Sequence, residues 1–477
     1  MSIKGRSVPA VRMGGGGHAM MGVTAVAAMF VLAFCPIALA RNPGPASPIN
    51  SGKVKAAEAA DSIAPGTKIT PANWRQYQRF MSEGMKTVFQ GDHFWRFPAN
   101  GEIAIGPTEP IALPSFFRAA TEKNAATSKI VPVASGGYVA EGYQAGVPFP
   151  EPLKGNPALI GQRIFWDVWY RFHPRVEQAL NCSYVLDQFG NITRTADTNL
   201  VYSQLSHVTD PGFPPRDPNA GPYYYTFYGE QTAPEAGKYT TTLNLMMNDP
   251  TAEPELYEFV PTLRRSLRLS QSARCAPLFG TDFTFDDSFQ GPPGLPQLFK
   301  ISYLGEKKLI SLDHATYHSF DTCGPASNLD PRYYYLGSRG IVPFPNPGSG
   351  AWELRDVYVI SLKRLPKYAA GYCYGDRVLY IDKENFFPDQ EDLYDNNGKL
   401  WKWGAVLLKA YAMPGGKPGD KVISISGQNT GYGVNFEDKH VTVFIGLHGC
   451  VDGDCKSGGY LDATRYALPE GLMKVMQ

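Results

Sequence analysis

Alternating apolar and polar positions dominate the chain from about residue 160 onward. Between 163 and 172, one face of the alternation carries Ile164, Trp166, Val168, Tyr170 and Phe172. The same period recurs at 239–247, 352–362 and 374–382. Successive side chains of a strand point to opposite faces, so this period predicts β-strands. Clusters of Gly, Asn and Asp separate the runs, at 187–191 and 395–398 for example. The pattern therefore predicts a mainly β fold with an antiparallel sheet, and it lacks the strand-helix-strand repeat of parallel sheets.

An earlier segment has the period of a helix. Apolar residues recur at spacings of three and four from Trp74 to Val88, after Thr70 as a candidate N-cap and Pro71 at the first helical position. We expect one helix over about residues 70–90. Packing against the sheet is the favoured interpretation of its apolar face, and a lid over an apolar cavity is the alternative.

The first 40 residues have the pattern of a secretory signal peptide. A basic leader without acidic residues precedes an apolar run at 22–34, and small residues occupy Ala38 and Ala40, the positions that a signal peptidase reads. We expect cleavage after Ala40. An uncleaved anchor is less favoured because the apolar run is shorter than the ~20 residues that a membrane span needs.

Three regions follow from these patterns. They are a signal peptide at 1–40, an N-terminal extension with one helix at 41–130, and a main domain at 131–477.

The formal net charge of +1 gives no reason to expect a nucleic acid as partner. Aromatic residues make up 13% of the chain, and 49 Gly and 40 Pro indicate frequent turns, which favours many short strands over long helices.

Cysteine usage points to an oxidising compartment. One of the seven cysteines, Cys35, belongs to the expected leader, which leaves an even number for disulfides. Cys450 and Cys455 form the best local pair, and the other pairings stay open. A metal site that adds His448 to this pair is less favoured, because the spacing fits no common zinc pattern.

Candidate catalytic groups are few. His314 and His318 are four residues apart, but no Glu follows the first His as in a metalloprotease, and neither a Gly-x-Ser-x-Gly elbow nor a phosphate-binding loop is present. We therefore expect no metal and no cofactor.

An acidic cluster at Asp282, Asp286 and Asp287 follows a basic segment that contains Arg264, Arg265, Arg268 and Arg274. Ion pairing between the two is favoured over acid-base chemistry or calcium binding.

Four segments together resemble a known group of proteins. The stretches 257–268 and 280–287, followed by 377–383 and 391–402, are similar in order and spacing to the outer-membrane lipoprotein-sorting (LolA-like) proteins. A closer resemblance, carried by Asn73-Trp74 and by 146–150, is to an uncharacterised Gram-negative secreted family of unknown function allied to that fold. The resemblance implies an incomplete antiparallel β-barrel wrapped around helices, with an apolar cavity.

The resemblance also implies a function. We expect a periplasmic carrier or binding protein for a hydrophobic ligand (a lipid, an acyl chain or a lipoprotein). We expect the protein to be a monomer and not to be an enzyme. An envelope transporter or an outer-membrane protein is the candidate partner. The alternatives are a hydrolase that uses Asp286 and Asp287 or His314 and His318, and a structural accessory of an outer-membrane complex.

The expected ligand site combines apolar faces of separate strands. Its residues are Trp166, Tyr170, Leu243, Leu245, Leu267 and Arg265. Alternation in 263–270 places Arg265 among leucines on the inward face, where an unpaired guanidinium is costly. We therefore expect a buried ion pair between Arg265 and Asp286 or Asp287, either as a structural contact or as a contact for a ligand head group.

Overall fold

The computed structural model describes residues 61–91, 97–270, 274–287, 295–316, 334–337, 340–423, 430–451, 455 and 468–472. The expected signal peptide, His318 and Cys323 lie outside these ranges. Within them, no helix combines the length and the apolar character that crossing a membrane requires.

One antiparallel sheet of 13 strands organises the described chain. In spatial order, its strands are β10 (Arg265–Leu269), β9 (Glu255–Val260), β8 (Thr241–Met247), β7 (Tyr223–Ala233), β6 (Ile192–Gln204), β5 (Val176–Leu186), β21 (His440–Val451), β20 (Thr430–Asn435), β17 (Leu400–Leu407), β16 (Pro388–Tyr394), β15 (Asp376–Asp382), β14 (Glu353–Arg364) and β11 (Phe299–Ser311). The chain thus builds the sheet in two halves, which join where β21 pairs with β5. β10 and β11 form the two edges and do not pair with each other, so the sheet does not close. The predicted mainly β fold with an incomplete antiparallel barrel is confirmed.

Four small two-stranded sheets accompany the large one. They pair β1 (Lys68–Ile69) with β2 (Ile103–Ala104), β3 (Lys129–Pro132) with β4 (Tyr138–Glu141), β12 (Tyr334–Gly337) with β13 (Gly340–Pro345), and β18 (Tyr411–Ala412) with β19 (Lys421–Val422). The described helices are α1 (Glu83–Phe89), α2 (Ser115–Asn124), α3 (Ile160–Trp169) and α4 (Pro469–Leu472).

Several predicted elements are present at their expected positions. Strands β8, β14 and β15 occupy the alternating runs, and turns follow β5 and β16 where Asn, Asp and Gly cluster. At the first of these turns, the Asp187 carboxylate accepts the backbone N–H groups of Phe189 and Asn191, at 2.8 and 2.9 Å. This local bond fixes the turn, as is common for Asp.

The strand expected at 163–172 is wrong, because this segment forms α3. Every residue of α3 from Gly161 to Trp169 is buried, so apolar side chains occupy more than one side of the helix and fit a period of two as well as one of 3.6. Arg163 and Asp167, its two charged residues, are four positions apart and therefore share one side of the helix. That spacing was the available signal for a helix.

The expected single helix over 70–90 is interrupted. Two 3₁₀ turns, Trp74–Gln76 and Gln78–Phe80, precede α1. Ser82, rather than Thr70, caps α1, with its hydroxyl oxygen accepting the Met85 N–H at 3.2 Å. The apolar residues from Trp74 to Val88 pack in one hydrophobic cluster with strands of the large sheet, as the favoured interpretation expected.

Helices cover both faces of the sheet. On β14, Tyr358 and Ile360 belong to the hydrophobic cluster that contains α3, whereas Val359 between them packs in another cluster with Tyr380. Tyr380 donates a hydrogen bond to Asp392, whose carboxylate also accepts the first backbone N–H groups of α1. Because neighbouring strand residues point to opposite faces, α1 and α3 lie on opposite sides of the sheet.

Candidate functional site

The start of α3 lies very close to the sheet edge at β11. A Cβ atom on Gly161 would lie 2.9 Å from the Tyr303 backbone nitrogen and 3.1 Å from the Ile301 carbonyl oxygen, so only glycine permits this approach without a shift. Gly137, at the β3–β4 turn, approaches the Gln297 carbonyl even more closely. The helix and the hairpin thereby cover part of the β11 edge, which limits pairing with a foreign strand.

A cavity of about 440 Å³ lies between these three elements. Its apolar walls include Tyr138, Ala158, Ile160, Phe299, Ile301, Tyr303 and Leu365. Gln162, Lys300 and Ser302 add polar groups to the lining. The predicted site contained none of these residues, although Phe299, Ile301 and Tyr303 alternate with Lys300 and Ser302 in the sequence.

Gln162 is the unusual polar residue of the cavity. Its side chain is 3% exposed, and its carbonyl oxygen accepts no hydrogen bond from any described residue. A buried acceptor without a donor costs about 1–3 kcal/mol, so a donor group on a bound molecule would relieve this penalty.

An aromatic cluster continues from the cavity along α3. The rings of Tyr143 and Tyr170 stack with centroids 3.6 Å apart, and Trp166 and Tyr224 pack against Tyr170 at 5.7 and 5.5 Å. Burial raises the pKa of Tyr170, so its phenol stays neutral. Asp167 accepts the Phe149 N–H at 2.8 Å, yet burial raises the pKa of its carboxyl well above the ordinary value.

The structure does not bring the predicted ligand-binding residues together. Trp166 and Tyr170 belong to the α3 cluster, and Leu243 and Leu245 are fully buried in a separate cluster with Tyr228. Leu267 and Arg265 lie on the edge strand β10, where both are exposed.

The expected pairing of Arg265 with Asp286 or Asp287 is wrong. β10 has a partner on one side only, and Leu263 lies in a 3₁₀ turn rather than in the strand. Both faces of β10 are largely exposed. The alternation of apolar and polar residues along this strand therefore does not predict which side chains are buried. The basic segment does pair with the acidic turn, but through Arg274, whose Nε lies 2.5 Å from Asp286 Oδ1.

Asp287 also has partners in a buried network. Its Oδ2 accepts the Tyr374 hydroxyl at 2.7 Å and the Thr284 N–H at 2.9 Å. Arg377 donates to the Asp286 carbonyl at 2.7 Å and to Glu391 at 2.6 Å. These carboxylates therefore fix the turn at 280–287 against β15 and β16.

His314 likewise makes a specific contact. Its Nδ1 lies 2.6 Å from Glu353 Oε1. Burial alone would lower the pKa of His314, but the hydrogen bond and the charge of Glu353 outweigh it, so the pKa is raised. His318, its expected companion, lies outside the described residues.

One group of side chains has the geometry of a metal site. Carboxylate oxygens of Asp313, Asp382 and Asp389 all lie within 4.8 Å of one another, and the three side chains are at most 1% exposed. No sequence pattern predicted this group, because its members come from distant positions and none belongs to a short metal-binding motif.

The predicted Cys450–Cys455 disulfide is present. A second disulfide joins Cys275 to Cys373, across a separation of 98 residues. It lies beside the acidic turn and ties the segment after β10 to the segment before β15.

Three solved structures are similar to this chain. A putative outer membrane lipoprotein-sorting protein domain from Vibrio parahaemolyticus is 15% identical, with a TM-score of 0.41 over 62% of this chain and 94% of that one. A DUF1329 family protein from Desulfovibrio piger is 12% identical, with a TM-score of 0.43 over 67% and 100%. A LolA superfamily protein from Nitrosomonas europaea is 12% identical, with a TM-score of 0.33 over 64% and 100%.

Among curated proteins, no sequence matches. A family model, in contrast, matches residues 68–443, which include the cavity, the aromatic cluster and almost the whole sheet. The chain belongs to the family described as protein of unknown function, DUF1329.

Proposed function

We propose that this protein binds and carries a hydrophobic ligand with a polar head group, in the cavity between α3, the β3–β4 hairpin and β11. The observation that carries the proposal is this largely apolar cavity, whose wall includes Gln162, a buried residue with an unpartnered carbonyl oxygen. Such a site combines apolar walls with few polar groups, which suits an amphiphile with a polar head group.

The size and the lining of the cavity support this ligand class. Small-molecule sites typically enclose about 300–1,000 Å³ and combine apolar walls with few polar groups. Contact with Ile160, Tyr303 and Leu365, which are partly exposed in the lining, would remove apolar ligand surface from water, at about 25 cal/mol per Å². Lys300, which is exposed at the same cavity, would attract an anionic head group.

The proposed location is the periplasm, after export by the expected signal peptide. The Cys275–Cys373 and Cys450–Cys455 disulfides support an oxidising compartment. A lipid or an acyl chain is the proposed cargo, and an envelope transporter or an outer-membrane protein is the proposed partner. No catalytic role is proposed for Asp286, Asp287 or His314, whose side chains are engaged in structural contacts.

Titration with a fluorescent fatty acid, such as dansyl-labelled undecanoic acid, tests the proposal. Ala158 lines the cavity but is exposed, so Ala158→Trp would block the space without disturbing the core. The matched control is Ala119→Trp, at an exposed position of α2. Wild type and the control should bind the probe saturably, and Ala158→Trp should bind at least about tenfold more weakly, a loss of about 1.4 kcal/mol.

A polar variant tests the head-group contact in the same assay. Gln162→Leu removes the unpartnered acceptor and should weaken binding of a neutral alkyl alcohol, whose O–H can donate to it. Binding of the labelled acid, an ionised carboxylate without a proton to donate, should stay nearly unchanged. The proposal fails if wild type does not bind the probe, or if the two tryptophan variants bind it equally well.

A further inference from the structure

The charge balance around Arg355 is incomplete. Arg355 is 1% exposed, and its donors reach Asp382 at 2.8 Å, Glu384 at 2.9 Å and the Glu109 carbonyl at 2.7 Å. Asp313 lies 3.1 Å from the Arg355 Nε. The Arg355 guanidinium therefore directs its N–H donors to Asp382, Glu384 and the Glu109 carbonyl, with Asp313 beside its Nε.

Asp389 is left without such a partner. It is fully buried, and neither of its carboxylate oxygens accepts a hydrogen bond from any residue that the structure describes. One of its oxygens lies within 4.8 Å of oxygens from both Asp313 and Asp382. Burial, reinforced by these two carboxylates, raises the pKa of Asp389 well above its ordinary value.

The remaining buried charges leave an excess of negative charge. Glu353 is 2% exposed and pairs with His314, so it joins Asp313, Asp382 and Asp389 as a fourth buried carboxylate. Arg355 contacts Asp313, Glu353 and Asp382, at 3.1, 3.6 and 2.8 Å. Several buried carboxylates thus share one guanidinium, and a divalent cation among them would offset the excess negative charge.

We propose that Asp313, Asp382 and Asp389 bind a divalent cation, with calcium as the best fit. Calcium prefers oxygen ligands at about 2.3–2.6 Å, which allows two ligand atoms on opposite sides of the ion to be nearly 5 Å apart. Magnesium demands near-octahedral geometry at about 2.0–2.1 Å and usually keeps several bound waters, which suits a fully buried group of side chains less well. Asp389 offers both oxygens, while Asp313 and Asp382 are held in place by Ser311 and by backbone N–H groups.

The site would fasten the N-terminal segment to the sheet. Glu353 accepts the Glu109 N–H at 2.8 Å, and Glu384 accepts the Ile111 N–H at 2.7 Å. Glu109 and Glu384 are partly exposed, so they mark a route for the ion from solvent. A cation among the carboxylates would remove their mutual repulsion and stabilise these contacts.

The test compares thermal unfolding of the full mature protein, stripped with EDTA, before and after addition of calcium chloride. Calcium should raise the unfolding midpoint of wild type. Asp389→Asn should abolish this rise, and in EDTA it should unfold at a higher temperature than wild type, because the substitution removes an uncompensated charge. Asp356→Asn is the matched control, since Asp356 lies on the same strand β14 as Arg355 but is exposed.

Titration calorimetry and measurement of bound calcium complete the test, with Asp313→Asn as second variant should Asp389→Asn not fold. A loss of at least tenfold in calcium affinity, in these variants and not in Asp356→Asn, supports the site. No response of wild type to calcium or magnesium, or an unchanged response in Asp389→Asn, overturns it. Ligand binding by the cavity is measured separately, so either proposal can fail without the other.

Discussion

Arg274 and Asp286 form a buried ion pair, in which Nε of the arginine lies 2.5 Å from Oδ1 of the carboxylate. Arg274 directly precedes the disulfide cysteine Cys275, and its pair with Asp286 holds the acidic turn against the sheet. A buried ion pair removes both charges from water, so the loss of either partner leaves the other charge buried without compensation.

Removal of Arg274 should therefore be costly. Arg274→Ala leaves Asp286 buried without its cation, and we expect a loss of about 3–5 kcal/mol in the free energy of unfolding. Arg265→Ala, on the exposed edge strand, should change it by no more than about 0.5 kcal/mol. Urea unfolding of the two variants measures both values, and equal losses would show that the buried pair does not stabilise the turn.

Stability should fall as the pH rises through the titration of Asp392. Burial raises the pKa of Asp392 to about 6 from the ordinary 3.8, so the folded protein holds this proton more tightly than the unfolded chain does. The contribution is fully present below pH 3.8 and is lost as the pH rises through about 6.

Asp392→Asn isolates this contribution. Between these pH values, the stability of wild type relative to Asp392→Asn should fall by roughly 3 kcal/mol, at about 1.36 kcal/mol per pKa unit. Asp356→Asn, at an exposed position, serves as the control. Parallel stability curves for wild type and Asp392→Asn would contradict the assignment.

The Cys275–Cys373 and Cys450–Cys455 disulfides should differ in their contribution to stability. In the chain-entropy account, a loop of about 100 residues is worth about 4.7 kcal/mol and a loop of a few residues about 2 kcal/mol. Replacing Cys275 and Cys373 by serine should thus lower the unfolding midpoint more than replacing Cys450 and Cys455. A larger effect from the shorter loop would contradict this ranking.

Local patterns in the sequence predicted the local parts of the fold. In β8, Leu243 and Leu245 alternate with Thr242 and Asn244, so the period of two was enough to find this strand. The period of two predicted a strand where α3 forms. Because α3 is buried on all sides, its apolar positions fit a period of two as well as the helical period of 3.6. The charged residues Arg163 and Asp167 are four positions apart, a spacing that indicates a helix.

The sites depended on contacts that no local pattern contains. Arg265 was expected to point inward because alternation was read without knowing that β10 is an edge strand. Arg274 pairs with the acidic turn instead, through a loop whose path the sequence does not specify. Asp313 follows β11, whereas Asp382 and Asp389 lie on β15 and β16, so the three carboxylates meet only in the assembled sheet and no spacing rule could find them.

Native mass spectrometry of the protein purified from its own cell envelope tests the central claim most directly. We predict that wild type carries an adduct with the mass of a lipid or fatty acid, and that Ala158→Trp lacks it while Ala119→Trp retains it. Wild type without an adduct, or an adduct that Ala158→Trp keeps, would contradict the assignment of the cavity as the site of a hydrophobic cargo.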